Sequence, residues 1–193
     1  AVGFAFDDIT ELDKTLAREL CKRIDSSSLF ALDIDVIRIL PGSLTTADFH
    51  FLDYAAEIGV QHVLVVSEDP DFNQTTKKIS TLCDHVAGIG LGIVFEFLSI
   101  TEYKTLDDAF IIVKGANRAN AKILIDTLHL ARAGHKPSDI ARFDPSLFPY
   151  LQLCDGAAEV NLHDFEALVF DAREGRFSPG YGDLPLVEML SYI

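Results

Sequence analysis

Long hydrophobic runs are absent from this sequence. No stretch of roughly 18 apolar residues occurs, and a membrane-spanning helix needs one. The N-terminus also lacks the basic region followed by an apolar region that is typical of a secretory signal peptide. Cysteine is scarce, since only Cys21, Cys83 and Cys154 occur, and no CxxC pair is present. We therefore expect reduced thiols in a cytoplasmic protein that has no membrane partner.

Basic residues are also few. The chain has 16 Lys and Arg against 30 Asp and Glu, which gives a formal net charge of −14. A nucleic-acid-binding surface needs a basic footprint, so this balance argues against nucleic acid as a partner. It also disfavours anionic membranes. A small anionic substrate remains compatible with the composition if arginine or lysine reverses the field locally.

Short apolar runs recur along the chain roughly every 30 residues. They are centred near Val36, Leu64, Val94, Leu124 and Leu151. Helical patterns lie between several of them, at residues 45–58, 73–86 and 106–117. Thr45 is typical of a helix cap and Gly59 of a helix end. A strand and a helix in each repeat form the βαβ unit, which predicts parallel strands.

Two α/β architectures use this repeat, the open doubly wound sheet and the closed (β/α)8 TIM barrel. No GxGxxG motif follows the first strand, and the glycines at 88, 90 and 92 precede a strand, where they are typical of a helix end. Polar residues at several strand ends favour the barrel. Five strands are evident, and residues 2–6 are a candidate sixth. A complete barrel typically has about 250 residues, so we expect residues 1–193 to form a single, fragmentary barrel domain.

The polar strand ends are Glu96, Asp126 and Gln152. Burying a charge at a strand end is unfavourable unless it is paired or bound to a metal. In a barrel these three side chains would converge at one mouth, where their oxygens suit Mn²⁺ or Mg²⁺, and Co²⁺ or Zn²⁺ could also bind. As the alternative, each side chain only accepts a loop amide hydrogen bond, and Asp126 is only a helix cap.

Histidine and arginine residues follow these strand ends. His129 lies just past Asp126 and is a candidate general acid or base. Arg176, in the Gly- and Pro-rich end of the predicted irregular segment 155–182, is a candidate for binding a substrate carboxylate or phosphate. Arg38 could face the same mouth or form a surface salt bridge. Arg132 could be a partner of the site loop or a helix-surface charge, and we favour the helix-surface charge.

Four segments together resemble the xylose-isomerase-like TIM-barrel superfamily of sugar-phosphate isomerase/epimerase-like proteins. They are Phe95-Glu96-Phe97, residues 125–134, residues 151–155 and residues 174–186. The resemblance implies a divalent metal held by Glu96, Asp126 and Gln152, with a fourth ligand, a glutamate, expected beyond Ile193. The superfamily's first strand and first helix are not recognisable.

Gln152 stands where many sugar isomerases of the superfamily have histidine. In this it is similar to the 3-dehydroshikimate dehydratase branch, in which the loop arginine faces an acidic substrate. The resemblance therefore leaves two enzyme classes open. One is an isomerase or epimerase that forms an enediolate on a hydroxy-carbonyl compound, with Glu96 and His129 sharing proton transfer. The other is a lyase that stabilises a similar enolate and expels water.

Two further functions are alternatives. A DNA-repair endonuclease of the superfamily would need a histidine-rich metal cluster and a basic groove, and the chain offers neither. A non-catalytic barrel that keeps the fold is the remaining alternative. The sequence leaves the oligomeric state open, and a homo-oligomer is one alternative because exposed barrel helices often pair.

Overall fold

The computed structural model describes residues 1–193, and each strand is followed by a helix. The strands are β1 (Val2–Ala5), β2 (Ala31–Ile39), β3 (His62–Ser67), β4 (Gly92–Glu96), β5 (Ala121–Asp126) and β6 (Leu151–Gln152). The helices are α1 (Lys14–Asp25), α2 (Thr46–Ile58), α3 (Phe72–Val86), α4 (Leu106–Ala116), α5 (Thr127–Arg132), α6 (Phe165–Arg173) and α7 (Leu186–Leu190). Short 3₁₀ helices lie at Ile9–Glu11, Pro137–Arg142 and Pro145–Leu147.

The residues divide into two compact units. Unit 1 comprises Ala1–Phe95 and Ile112–Lys122, and unit 2 comprises Glu96–Ile111 and Ile123–Ile193. The expectation that residues 1–193 form a single domain stays a prediction.

Unit 1 contains a parallel sheet in the order β1-β2-β3-β4. Every residue of β4 is buried, and in β3 only His62 is partly exposed, which is the pattern of a parallel strand covered on both faces. Helix α2 begins as predicted, because the N–H of Thr45 donates to the Asp48 carboxylate at 2.6 Å. It ends at Gly59, whose φ of 82° is left-handed.

Unit 2 contains the end of β5 paired in parallel with β6. Ile125 lies opposite Leu151, and Asp126 lies opposite Gln152. Helix α5 starts at Thr127, immediately after the strand, so Asp126 is both the last residue of β5 and the N-cap of α5. The apolar run of β5 is buried, as its composition predicts.

The strands and the helices α2, α3 and α4 agree with the sequence-based expectations, and β1 matches the candidate sixth strand. Helix α1 was not predicted. The prediction that 155–182 is irregular was wrong, because this segment contains α6. The apolar residues Phe165 and Phe170 of α6 are 64% and 62% exposed, so its sequence does not mark one buried face.

All three cysteines are free thiols, as expected. No helix combines the length and the apolar composition needed to cross a bilayer.

Candidate functional site

Asp126 is fully buried at the junction of β5 and α5. Its Oδ1 accepts hydrogen bonds from the backbone N–H groups of Leu128 (2.8 Å) and His129 (3.2 Å). The helix-cap alternative is therefore part of what Asp126 does. Because the cap uses Oδ1, the second oxygen, Oδ2, faces other partners. A short strand that turns at once into a helix thus fixes the carboxylate in one orientation.

Glu96 and His129 lie close to this carboxylate. One ligand atom from each of Glu96, Asp126 and His129 can be chosen so that all three lie within 4.8 Å of one another, and all three residues are buried. Glu96 is the last residue of β4 and lies in unit 2. Two carboxylates this close favour a cation between or beside them, since like charges at such a distance disfavour the doubly ionised state.

Gln152 lies next to Asp126. The two residues are directly paired at the ends of β5 and β6, and paired residues of neighbouring strands project to the same face of the sheet. Gln152 is half-buried. The register thus places Gln152 beside Asp126, and a metal-binding role for its amide stays a prediction.

Arg176 contacts the same group of side chains. Its Nη1 donates to Asp126 Oδ2 at 2.6 Å and lies 3.2 Å from Cys154 Sγ. Its Nη2 lies 3.3 Å from His129 Nε2. Its Nε donates to the carbonyl of Ala172 at the end of α6. The guanidinium is therefore anchored on one side and directed at the site on the other.

His129 is held in the neutral form. Burial lowers the pKa of its imidazole, and this outweighs the opposing effect of the Asp126 charge. Because a guanidinium has no acceptor, the contact with Arg176 requires Nε2 to be the acceptor and places the proton on Nδ1. Nδ1 is buried and has no hydrogen-bond partner. The lone pair of the imidazole thus points at the guanidinium of Arg176.

Asp155 was missed as a site residue by sequence reasoning. Its buried carboxylate accepts hydrogen bonds from the N–H groups of Gly156 (2.9 Å), Gly180 (3.0 Å) and Leu184 (3.0 Å). The backbones of Asp155 and Phe177 exchange two hydrogen bonds of 2.9 Å. Asp155 therefore closes the loop that follows Arg176. The signal available in the sequence was an aspartate shortly after a strand end and next to a glycine.

The interpretation of Arg132 as a surface charge was wrong, because its side chain is buried. Its side chain is 4% exposed and binds the Asp171 carboxylate through Nε at 2.7 Å and Nη2 at 3.0 Å. Nη2 also donates to the carbonyl of Ala157. The prediction failed because the acidic partner lies on α6, a helix that the sequence pattern did not reveal.

Arg38 lies in unit 1 and forms a surface ion pair. Its Nη1 lies 3.4 Å from Glu68 Oε1, and both side chains are more than 40% exposed. It also lines a cavity of about 280 Å³ together with Asp7 and Asp8. The salt-bridge alternative is thus observed, and a substrate-binding role for Arg38 stays a prediction.

The donor set of unit 2 fits a divalent cation. Glu96 and Asp126 supply carboxylate oxygens, Gln152 supplies an amide oxygen and His129 an imidazole nitrogen. Glu96 and Asp126 are both acidic, and Arg176 places one positive charge beside Asp126. A buried site with this charge balance attracts a cation.

The family model of the xylose isomerase-like TIM barrel matches residues 49–193. The chain belongs to this family. The fold prediction, an α/β TIM barrel, is thereby confirmed, with six strands against the eight of a complete barrel. A comparison with curated proteins found no match.

Solved structures of this family's fold superpose on most of the chain. One is a xylose isomerase-like TIM barrel/4-hydroxyphenylpyruvate dioxygenase fusion protein, with a TM-score of 0.80 and 18% identity over 92% of this chain. The chain spans only 30% of that protein. Another is the IolI protein with a bound zinc atom, with a TM-score of 0.69 and 17% identity over 99% of this chain and 84% of that chain.

Two enzymes show the same likeness. D-psicose 3-epimerase, solved in the presence of D-fructose, has a TM-score of 0.69 and 15% identity over 98% of this chain and 68% of that chain. The probable 3-DHS dehydratase AsbF of Bacillus anthracis has a TM-score of 0.67 and 18% identity, over 93% of this chain and 71% of that chain. At these identities the likeness shows the fold alone.

Proposed function

We propose that the site in unit 2 belongs to a divalent-metal-dependent isomerase or epimerase of a small hydroxy-carbonyl substrate, such as a sugar or sugar phosphate. The observation that carries this proposal is the buried cluster of Glu96, Asp126 and His129, with ligand atoms within 4.8 Å of one another. The likeness to D-psicose 3-epimerase supports the reaction class.

In this proposal Glu96, Asp126 and Gln152 hold the cation. Their oxygens favour Mn²⁺ or Mg²⁺, and Co²⁺ or Zn²⁺ are alternatives. The zinc in the IolI structure supports a metal at this type of fold. A bound divalent cation would polarise the substrate carbonyl and stabilise the negative charge that develops when the neighbouring carbon loses its proton.

His129 and Glu96 move the proton. Because burial keeps the imidazole of His129 neutral, its lone pair can accept a proton at neutral pH. Its Nδ1 is buried and has no hydrogen-bond partner, so Nε2, which lies beside Arg176, is the atom proposed to exchange the proton. Glu96 shares the proton transfer as the second carboxylate of the cluster.

Arg176 binds the anionic or hydroxyl-rich end of the substrate. Its planar fork suits a carboxylate or phosphate, and the side chain is 30% exposed although one face contacts Asp126. Arg38 is proposed as a second substrate-binding arginine.

The second candidate is a lyase of the 3-dehydroshikimate dehydratase type. The feature that favours it is Gln152, which lies beside Asp126 in the register. The likeness to the probable 3-DHS dehydratase AsbF supports it as well. Both reactions begin with the loss of a proton next to a carbonyl, so the same residues serve either one.

The proposal is tested with purified protein and Mn²⁺ in deuterated water. A ketose panel that includes D-fructose and D-psicose, and separately 3-dehydroshikimate, is followed by NMR for deuterium uptake and product. We expect Asp126→Asn to lower turnover at least about 100-fold, because it removes a metal ligand and a negative charge. Asp107→Asn is the matched control, since the Asp107 side chain is 49% exposed and pairs with Arg142.

The outcomes separate the candidates. Conversion between ketoses supports the isomerase or epimerase, and dehydration of 3-dehydroshikimate supports the lyase. Metal binding with no deuterium uptake from any substrate would favour the non-catalytic barrel.

A further inference from the structure

The guanidinium of Arg176 contacts two of the three residues of the candidate metal cluster. It contacts three atoms that are themselves metal ligands by type: Asp126 Oδ2 at 2.6 Å, Cys154 Sγ at 3.2 Å and His129 Nε2 at 3.3 Å. Binding a substrate does not require an arginine to contact these three atoms. Their convergence on one guanidinium indicates a second role for Arg176.

Asp126 can offer a metal only one free oxygen. Its Oδ1 already accepts two backbone N–H groups at the start of α5. Its Oδ2 is the oxygen that Arg176 binds. A divalent cation binds a carboxylate oxygen at about 2.0 to 2.6 Å. A cation at that distance from Oδ2 would meet the Nη1 group at close range, and two positive charges so near each other in a buried site repel strongly.

We propose that Arg176 and the divalent cation are alternative partners of Asp126 Oδ2, so that metal binding displaces the guanidinium, frees His129 Nε2 and turns the guanidinium towards the substrate. This inference rests on the metal site of the proposed function. It adds that Arg176 is an internal counter-ion, which neutralises the site until the metal replaces it.

The surroundings of Arg176 allow such an exchange. The backbone after Arg176 is held by Asp155, which binds the loop through Gly180 and Leu184. The end of the Arg176 side chain is partly exposed, with a relative exposure of 30%. We therefore expect the exchange to be a rotation of the Arg176 side chain, which also breaks its Nε contact with Ala172, without movement of the loop. Such a rotation would release the fork for an anionic substrate only after the metal has bound.

The test is the titration of Mn²⁺ and Zn²⁺, by calorimetry, into the full chain after removal of metal. We expect Arg176→Met to bind metal about tenfold more tightly than the wild type, because the competing charge is gone; couplings of this kind are typically 5- to 150-fold. Arg173→Met is the matched control, because Arg173 is exposed and close in the chain. It should change the affinity less than threefold.

Arg176→Lys is a second variant, which keeps the test decisive if Arg176→Met does not fold. It keeps the charge but loses the fork, so its affinity should lie between those of the wild type and Arg176→Met. Circular dichroism checks that both proteins are folded. If folded Arg176→Met then binds metal no more tightly than the wild type, the proposed exchange is wrong. The proposed function is not contradicted by that result. Metal binding to none of the proteins would overturn both.

Discussion

Asp155 illustrates how a single carboxylate organises the loop behind the site. Burial raises the pKa of this carboxyl, but hydrogen bonds from the N–H groups of Leu184, Gly156, Gly182 and Gly180 outweigh burial and lower it. Gly182 must lack a side chain, because an added Cβ would lie only 2.4 Å from Asp155 Oδ1. The loop therefore closes tightly around an ionised carboxylate, and Arg176 stands at its start.

The substitution Asp155→Asn should destabilise the protein by about 3 kcal/mol, because an amide replaces one acceptor oxygen by a donor and leaves buried N–H groups unpaired. The free energy of unfolding in urea measures this. Asp183→Asn is the control, since exposed Asp183 accepts a single N–H, that of Ala158, at 3.2 Å; it should cost less than about 1 kcal/mol. Equal losses for the two variants would contradict the role assigned to Asp155.

Among the helices, α5 carries much of the chemistry of unit 2 within six residues. It begins with Asp126 as its cap, presents His129 to the carboxylate cluster and ends at Arg132, which binds Asp171 of α6. The Arg132–Asp171 pair joins the two helices, and Ala172 of α6 in turn accepts a hydrogen bond from Arg176. The position of the candidate substrate arginine thus depends on how α5 and α6 pack.

Breaking this buried ion pair on one side should be strongly destabilising. Arg132→Met leaves the Asp171 charge buried without its partner, and such a change typically costs about 3 to 5 kcal/mol. The double variant Arg132→Met/Asp171→Leu should recover most of that loss, because no unpaired charge remains. A double-mutant cycle by urea unfolding measures both. If the two single losses simply add in the double variant, the pair does not couple α5 to α6.

Considered as a whole, the molecule is strongly acidic, with a net charge of −14, and several of its carboxyls are stabilised in the ionised form. A hydrogen bond from Lys78 lowers the pKa of Asp69, and one from Arg118 lowers that of Asp84. The backbone N–H of Lys136 lowers the pKa of Asp139. Each of these carboxyls binds its proton less readily in the folded than in the unfolded chain.

Acid should therefore unfold the protein. A carboxyl with a lowered folded-state pKa contributes its full stabilisation above its unfolded pKa, which is about 3.9 for Asp. It loses that stabilisation as the pH falls through the lower folded-state value. We expect the free energy of unfolding, measured in urea from pH 6 to pH 3, to decline steeply below about pH 4. A constant or rising stability between pH 5 and pH 3 would be inconsistent with these shifts.

The repeat, the strand ends and the helix caps were determined by the sequence itself. Alternating apolar runs and helical patterns predicted β2 to β6 and α2 to α4, since burial on both faces of a parallel strand requires an unbroken apolar run. Local chemistry predicted both ends of α2, because Thr45 and Gly59 act through their nearest neighbours along the chain. Polar residues at the ends of apolar strands marked Glu96, Asp126 and Gln152 in the same way.

The partners of these residues were decided only by the tertiary structure. The contact of Arg176 with Asp126 joins residues 50 positions apart, and that of Arg132 with Asp171 joins residues 39 apart. Nothing in the local pattern distinguishes these arginines from solvent-exposed ones, because the free energy of an ion pair depends on distance and burial. Those two quantities are set by the packing of α5, α6 and the loop closed by Asp155. The sequence thus determined which chemical groups stand at the strand ends, and the packing determined which of them meet.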